Sequence, residues 1–332
     1  MPKTIINSIK KGTLKPIYFL MGDEPYFIDL VSDYIEHNVL NEADKGFNQV
    51  VLYGRDVSIE DIISNAKRFP MMAERQVVII KEAQALSRNI EKLITYANNP
   101  QPSTVLVIAY KGKRIDKRKK LYKVLSKSAV ILDTKKLYDN QIAAWVRDLL
   151  VEKNFKASPK AIQLIAEFLG TDLSKINNEI GKLEVLLPKG TEITAQHIEE
   201  HIGISKDYNV FELRKALGNK DLLKANRIID YFAKNPKINP LVLVIGQLNS
   251  FYVQLIRYHA LTDKSKMSVA GALKISPFFV GEYQTAARNY PLKKLSRIIS
   301  YLRQADVQSK GVDSGQMTER DILKELIFKI LH

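Results

Sequence analysis

Apolar residues occupy consecutive positions in five short runs of the first third of the chain. They are Lys15–Gly22, Gln49–Gly54, Val77–Ile80, Thr104–Ala109 and Ala129–Leu132. Runs apolar on both parities fit strands covered on both faces. The segments between them change period. Tyr26–Val39 places Phe27, Leu30, Val31, Tyr34 and Ile35 at helical spacing. Ser58 with Asp61 starts a helix carrying Ile59, Ile62, Ile63 and Ala66, and Leu86–Asn98 and Asp116–Lys127 read as two more. Strands alternating with helices imply parallel pairing with right-handed crossovers. The expected fold is α/β, a doubly wound parallel-sheet domain over residues 1–139.

From Asn140 the strand pattern gives way to helices. Asn140 is read as the cap of a helix to Asn154, Ser158-Pro159 opens one to Leu169, Asp172 one to Leu187, and Thr194 a short one before Gly203. Residues 140–207 thus read as a small helical domain, with Ile204–Asn209 as a hinge. Longer helices follow: Val210–Leu217, Asp221–Asn235, Pro240 to about Thr262, Pro277–Asn289, Leu292–Lys310 and Thr318–Leu331. Residues 208–332 read as a third, all-α domain. The helix after Pro240 is apolar on more than one side, which suits the middle of a bundle or a face lent to a partner.

One connection breaks the pattern. Between the helix ending near Ala66 and the strand at Val77 lies Phe69-Pro70-Met71-Met72. A connection usually carries Gly, Asn, Asp or Ser, which suit turns and water. An aromatic, a proline and two thioethers imply either inward packing or an apolar knob kept for a partner. Apolar residues are most often core, so the segment taken alone favours inward packing.

Charge adds a second feature. The chain has 332 residues and a net charge of +15, from 51 Lys and Arg against 36 Asp and Glu. The excess is concentrated in the segment Lys111–Lys127, with nine basic residues and one acid, and in the C-terminal third. Basic residues in a first helical turn oppose the helix dipole, so Lys111, Lys113, Arg114, Lys117 and Arg118 are candidates for phosphate or DNA contact. Stacking aromatics are not interleaved with them, which argues against single-strand readout. There is no cysteine, which excludes disulfides and thiolate chemistry. No apolar run suggests a membrane span or a secretion signal, so a cytoplasmic protein is expected.

Catalytic signatures are incomplete. The turn after the first strand, where such sheets bind phosphate, reads Gly22-Asp23-Glu24-Pro25-Tyr26-Phe27-Ile28-Asp29. It has the first glycine of a P-loop but not the second glycine, the lysine or the hydroxyl. Pro25 removes a donor, and Asp23 and Glu24 place negative charge where phosphate would sit. An ATPase with an unusual nucleotide site is one alternative. Another is a metal-dependent nuclease using Asp23 and Glu82, with Glu24 and Asp133 also following strands; caps and solvated turns explain these carboxylates more simply. His197-Ile198-Glu199-Glu200-His201 matches an inverted zinc signature, but Ile198 and Ile202 form the buried stripe of so short a helix and a third ligand is not evident. No cofactor, metal or catalytic residue is expected.

Four segments together carry a resemblance: Tyr18–Tyr26, Arg68–Val78, Asn178-Glu179-Ile180-Gly181-Lys182-Leu183 and Asn209-Val210-Phe211-Glu212-Leu213. Over essentially the whole chain the sequence resembles the bacterial DNA polymerase III delta subunit family of clamp-loader proteins. The resemblance implies an AAA+-like domain with a degenerate P-loop, a lid-like helical domain and a collar for oligomerisation. It implies a protein that binds and opens the ring-shaped sliding clamp without hydrolysing ATP, as part of a DNA polymerase holoenzyme. The partners implied are the clamp, ATPase subunits of tau/gamma type, a delta-prime-type subunit, and primer–template DNA, with no membrane. The family's clamp-inserting apolar pair, often leucine then phenylalanine, falls on Met71 and Met72, with Phe69 and Pro70 as buttress. Two methionines depart from that pair, yet thioethers are flexible enough to fill such a pocket. On this resemblance the loop is expected exposed. The basic segment 111–127 and collar face DNA or acidic neighbours.

Overall fold

The computed structural model describes residues 2–203, 205, 207–312 and 315–332. The chain divides into two compact units, Met1–Leu137 and Tyr138–His332.

The first unit runs α1 (Pro2–Lys10), β1 (Ile17–Gly22), α2 (Pro25–Asn38), α3 (Glu42–Asn48), β2 (Gln49–Tyr53), α4 (Ile59–Ala66) and β3 (Gln76–Lys81). Two 3₁₀ turns (Ala83–Leu86 and Ile90–Leu93), α5 (Ile94–Ala97), β4 (Thr104–Lys111), α6 (Lys120–Ser128) and β5 (Val130–Thr134) complete it. The five strands form one parallel sheet in the order β2-β3-β4-β1-β5. Alternate residues of each strand feed opposite layers. Ile17, Phe19, Met21, Val78 and Ile80 pack with Ile59, Ile62, Leu121 and Leu125 from α4 and α6. Tyr18, Leu20, Val77 and Ile79 pack with Ile9 of α1 and Ile28, Val31 and Ile35 of α2. The expected doubly wound α/β class is therefore found, and continuous apolar runs are its sequence counterpart.

Several elements differ from expectation. The helix read at Leu86–Asn98 is broken into 3₁₀ turns and one α turn. Ser87 and Asn89 lie at the break, and such residues compete with the helical backbone. The helix read from Asp116 begins at Lys120, because Asp116 instead accepts from the Arg118 amide and guanidinium. Helices α1 and α3 had not been anticipated.

The second unit is helical: α7 (Asp139–Glu152), α8 (Pro159–Leu169), α9 (Leu173–Leu186), α10 (Ala195–Ile202), α11 (Val210–Gly218), α12 (Leu222–Lys234), α13 (Leu241–Ala260), α14 (Lys266–Leu273), α15 (Val280–Asn289), α16 (Leu292–Ser309) and α17 (Glu319–Leu331). Ser158, Asp172 and Thr194 cap as read. The first helix starts at Asp139 rather than at a cap on Asn140, and Gln141 Oε1 accepts the Tyr138 N–H at 2.9 Å. A two-residue pairing, Lys156–Ala157 with Glu192–Ile193, interrupts a region expected to lack strands. Of the expected hinge, Ile204 and Lys206 lie outside the described residues. Helix α13 is central: Val244, Leu248, Tyr252 and Leu255 are buried, and the helix packs against α11, α14, α15 and α16.

Buried ion pairs tie α8 to α11. Glu212, 4% exposed, meets Lys160 at 2.6 Å and Lys224 at 2.5 Å. Arg214 meets Glu167 at 2.5 Å. Burial alone would push the Glu212 carboxyl up, but the two lysines outweigh it and hold the group below its ordinary value. Asn209 caps α11 by accepting the Glu212 N–H at 3.0 Å, so one end of the Asn209–Leu213 motif both starts the helix and places the carboxylate.

Candidate functional site

The connection between α4 and β3 is anchored at its base and presented at its tip. At the base, Gln76 is buried and its amide donates to the carbonyls of Asn65, Ala66 and Arg68 and to Thr104 Oγ1. Thr104 in turn donates to the Ala66 carbonyl at 2.8 Å. These bonds satisfy the C-terminal carbonyls of α4 that a helix end leaves open. Above them Phe69 is 78% exposed, Met71 63% exposed and Met72 fully exposed, with Pro70 partly covered. Four apolar residues thus lie outside the core, of which three are largely in water. Met72 has φ +53, in the left-handed region that side chains other than glycine occupy rarely. The Met71 backbone is held by Asn48, whose Oδ1 accepts the Met71 N–H at 2.6 Å and whose Nδ2 donates to the Met71 carbonyl at 3.0 Å. Sequence reading missed Asn48 and its exposed neighbour Phe47. The signal available was Asn41 with Asp44, an N-cap pattern that starts α3.

The turn after β1 is filled by the protein itself. Gly22 has φ +123, and a Cβ there would lie 2.2 Å from the Thr134 carbonyl oxygen. This close approach lets β5 take the donors that face a phosphate in a P-loop. The Asp23 N–H bonds the Thr134 carbonyl at 3.1 Å, the Glu24 N–H bonds Thr134 Oγ1 at 3.2 Å, and the Gly22 N–H bonds the Lys113 carbonyl at 3.1 Å. Glu24 Oε1 then accepts the Tyr26 N–H at the start of α2, a carboxylate at a helix N-terminus.

Three of the four carboxylates read as a possible metal cluster, Asp23, Glu82 and Asp133, are matched to a cation, and Glu24 accepts the Tyr26 N–H. Arg114 bridges Asp23 at 2.6 Å and Asp133 at 2.7 Å, and also donates to the Thr134 carbonyl. Lys111 bridges Asp29 at 2.8 Å and Glu82 at 3.0 Å. Lys111 holds the Glu82 carboxyl below its ordinary value, while Asp133 and Asp23 raise the Arg114 guanidinium. Lys81 pairs with Glu36 and Asp33 at 2.8 and 3.5 Å. Among the described residues no group of three or more potential ligands is placed to hold a metal ion.

The five basic candidates therefore separate. Lys111 and Arg114 are engaged by carboxylates across the sheet edge. Lys113 donates to Ser87 Oγ at 2.7 Å, and Arg118 pairs with Asp116 at 2.6 Å. Lys117 is exposed, as are Lys120, Lys123 and Lys127, the last three sharing one face of α6 by their spacing. The two histidines of the zinc-like pattern lie on α10 with ring centroids 6.4 Å apart. His197 Nδ1 accepts the Thr194 N–H, and Ile198 is the buried residue of that helix.

Comparison with known proteins agrees along both units. A family model described as the DNA polymerase III delta subunit matches residues 18–135, and one described as that subunit's C-terminal domain matches residues 207–330. DNA polymerase III subunit delta of Bacillus subtilis (strain 168) is 26% identical over 334 residues, covering 98% of this chain and 95% of that protein. A solved Bacillus subtilis DNA clamp loader delta protein has the same fold, with a TM-score of 0.56 at 24% identity, covering 100% of this chain and 99% of that one. Thermotoga maritima RuvB aligns at a TM-score of 0.34 and 13% identity over 86% of this chain and 83% of its own, too slight a likeness to bear on function. With family models matching the sheet domain and the C-terminal helices in turn, the chain belongs to the DNA polymerase III delta subunit family.

Proposed function

We propose that this chain is the clamp-opening subunit of a clamp loader, and that Phe69, Pro70, Met71 and Met72 are its contact with the sliding clamp. The observation that carries this reading is the loop itself. An isolated exposed apolar residue is ordinary, but Phe69, Met71 and Met72 together, on a connection with a hydrogen-bonded base, expose a cluster that water disfavours. Inserted into an apolar pocket, two methionines each contribute roughly 1.5–3 kcal/mol of burial, enough to dominate an interface. Binding energy delivered at one edge of a ring stabilises the opened state only to the extent that the open ring binds better than the closed one.

The chain contributes mechanics rather than hydrolysis in this reading. The amides that would cradle phosphate are used by Thr134, and Arg114 lies between the carboxylates beside them. ATP is hydrolysed by the tau/gamma-type neighbours, which with a delta-prime-type subunit assemble through the collar. The division of the second unit into a lid over residues 140–207 and a collar over residues 208–332 is supported by the family model that begins at residue 207. Primer–template DNA lies against the basic segment, where Lys113, Lys117 and Arg118 extend the exposed lysine face of α6. Lys111 and Arg114 serve chiefly the sheet edge.

Clamp opening is tested by loading the sliding clamp onto nicked circular DNA and adding the purified chain without nucleotide. Release of clamp from the circle at a rate that rises with chain concentration is expected. Release that requires ATP hydrolysed by this chain would overturn the reading.

A further inference from the structure

Asn48 ends α3 and is only 3% exposed. A buried carboxamide needs partners, and this one gives both of its functions to the loop. Its Oδ1 accepts the Met71 N–H, and its Nδ2 donates to the Met71 carbonyl and, at 3.2 Å, to the Asp44 carbonyl within its own helix. Met71 thus has both backbone groups matched by one side chain 23 residues earlier, while its own side chain stays 63% exposed. The amide plays the part of a neighbouring strand, fixing backbone without covering the side chain. The next residue, Met72, sits at φ +53. Such a conformation persists where the surroundings over-determine it, and Asn48 on one side with the Gln76 base on the other supplies that constraint.

We propose that Asn48 is a positioning residue for the clamp contact: it holds Met71 and Met72 in the presented conformation before the partner arrives. This rests on the clamp-binding reading of the loop. The ordering of the tip is then completed during folding, and binding does not have to supply it. Without Asn48 the tip populates other conformers, and affinity falls with the fraction that remains competent.

The test uses the full chain and purified sliding clamp, with affinity measured by titration calorimetry for wild type, Asn48→Ala, Asn48→Ser, Asn48→Asp, Met72→Ala, Met71→Ala/Met72→Ala, and Met72→Ala combined with Asn48→Ala. Loss of two hydrogen bonds to the tip predicts that Asn48→Ala weakens binding about tenfold. Asn48→Asp keeps the acceptor for the Met71 N–H but sets a buried carboxylate oxygen against the Met71 and Asp44 carbonyls, so its loss is at least as large. In the Met72→Ala background the Asn48→Ala effect shrinks, because one of the two side chains being positioned is gone. Amide exchange at Met71 and Met72 quickens in Asn48→Ala while β1, β3 and β4 stay protected, which a general loss of stability would not produce. Wild-type affinity for Asn48→Ala, with Met72→Ala impaired, overturns the positioning role alone. Wild-type affinity for Met72→Ala and for the combined Met71→Ala/Met72→Ala chain overturns the loop reading beneath it. Should Asn48→Ala fail to fold, Asn48→Ser, uncharged and too short to reach both Met71 groups, decides: weakened binding upholds the role and unchanged binding refutes it.

Discussion

The Thr134 hydroxyl lies 3.2 Å from the Glu24 amide nitrogen and accepts its hydrogen bond, and the Thr134 carbonyl accepts from Asp23. The final residue of β5 therefore occupies donors that a P-loop leaves open for phosphate. Restoring a lysine alone would not rebuild such a site. A chain with Asp23→Gly and Glu24→Lys is expected to bind a fluorescent ATP analogue no better than wild type, in an anisotropy titration. Saturable binding by wild type would show that the turn can open.

Gly22 permits that contact. Its φ of +123 and the 2.2 Å approach of a Cβ to the Thr134 carbonyl oxygen leave no room for alanine. Gly22→Ala is expected to lower stability by about 3 kcal/mol or more, seen as a large fall in the urea midpoint of the first unit. A change below about 0.5 kcal/mol would contradict the close approach.

Arg114 and Lys117 have different expected roles although both belong to one basic segment. Arg114→Ala strands Asp23 and Asp133 and should reduce stability by about 1 kcal/mol, a modest figure because the network is part-exposed. Lys117→Ala and Lys123→Ala should leave the melting temperature within a degree or two. Each is expected to lower the salt slope of duplex DNA binding by about 0.9 for every phosphate it no longer neutralises. A salt slope equal to wild type in both would move the basic face from DNA to a protein neighbour.

Glu212 is expected to make the second unit acid-sensitive. Its carboxyl is held below the ordinary 4.5 by Lys160 and Lys224. The native state thus binds that proton more weakly than the unfolded chain. The stabilisation is complete above about pH 4.5 and is lost as pH falls through the lowered native value. Glu212→Gln should cost about 2 kcal/mol at pH 7, less than a fully buried pair because both lysines reach water, and should flatten the acid limb of the pH–stability curve. An unchanged acid limb would mean that other carboxylates control it.

Strands were the most legible part of the sequence, because Val77–Ile80 and Thr104–Ala109 can bury two faces only in the centre of a sheet. The broken segment 86–98 was not, since Leu86, Ile90, Leu93 and Ile94 satisfy helical spacing whether or not the backbone between them is continuous. Helix α3 carries almost no apolar stripe, and with it Asn48 escaped notice. The partner of Asn48 is a backbone 23 residues away, and pairings of that kind leave no periodicity. The same limit hid the pairing of Arg114, named as a phosphate candidate, with Asp23, 91 residues earlier. The apolar oddity of Phe69–Met72 was visible, but its exposure was not decided by the segment alone.

The central claim is the Met71-Met72 contact, tested most directly by the affinity of the sliding clamp for Met71→Ala/Met72→Ala relative to wild type, with circular dichroism confirming the fold. Both side chains are already in water, so the substitutions should scarcely alter stability. Removing two thioethers that an interface buries predicts at least about a 100-fold loss of affinity. Affinity within about twofold of wild type, with the fold intact, would contradict the account.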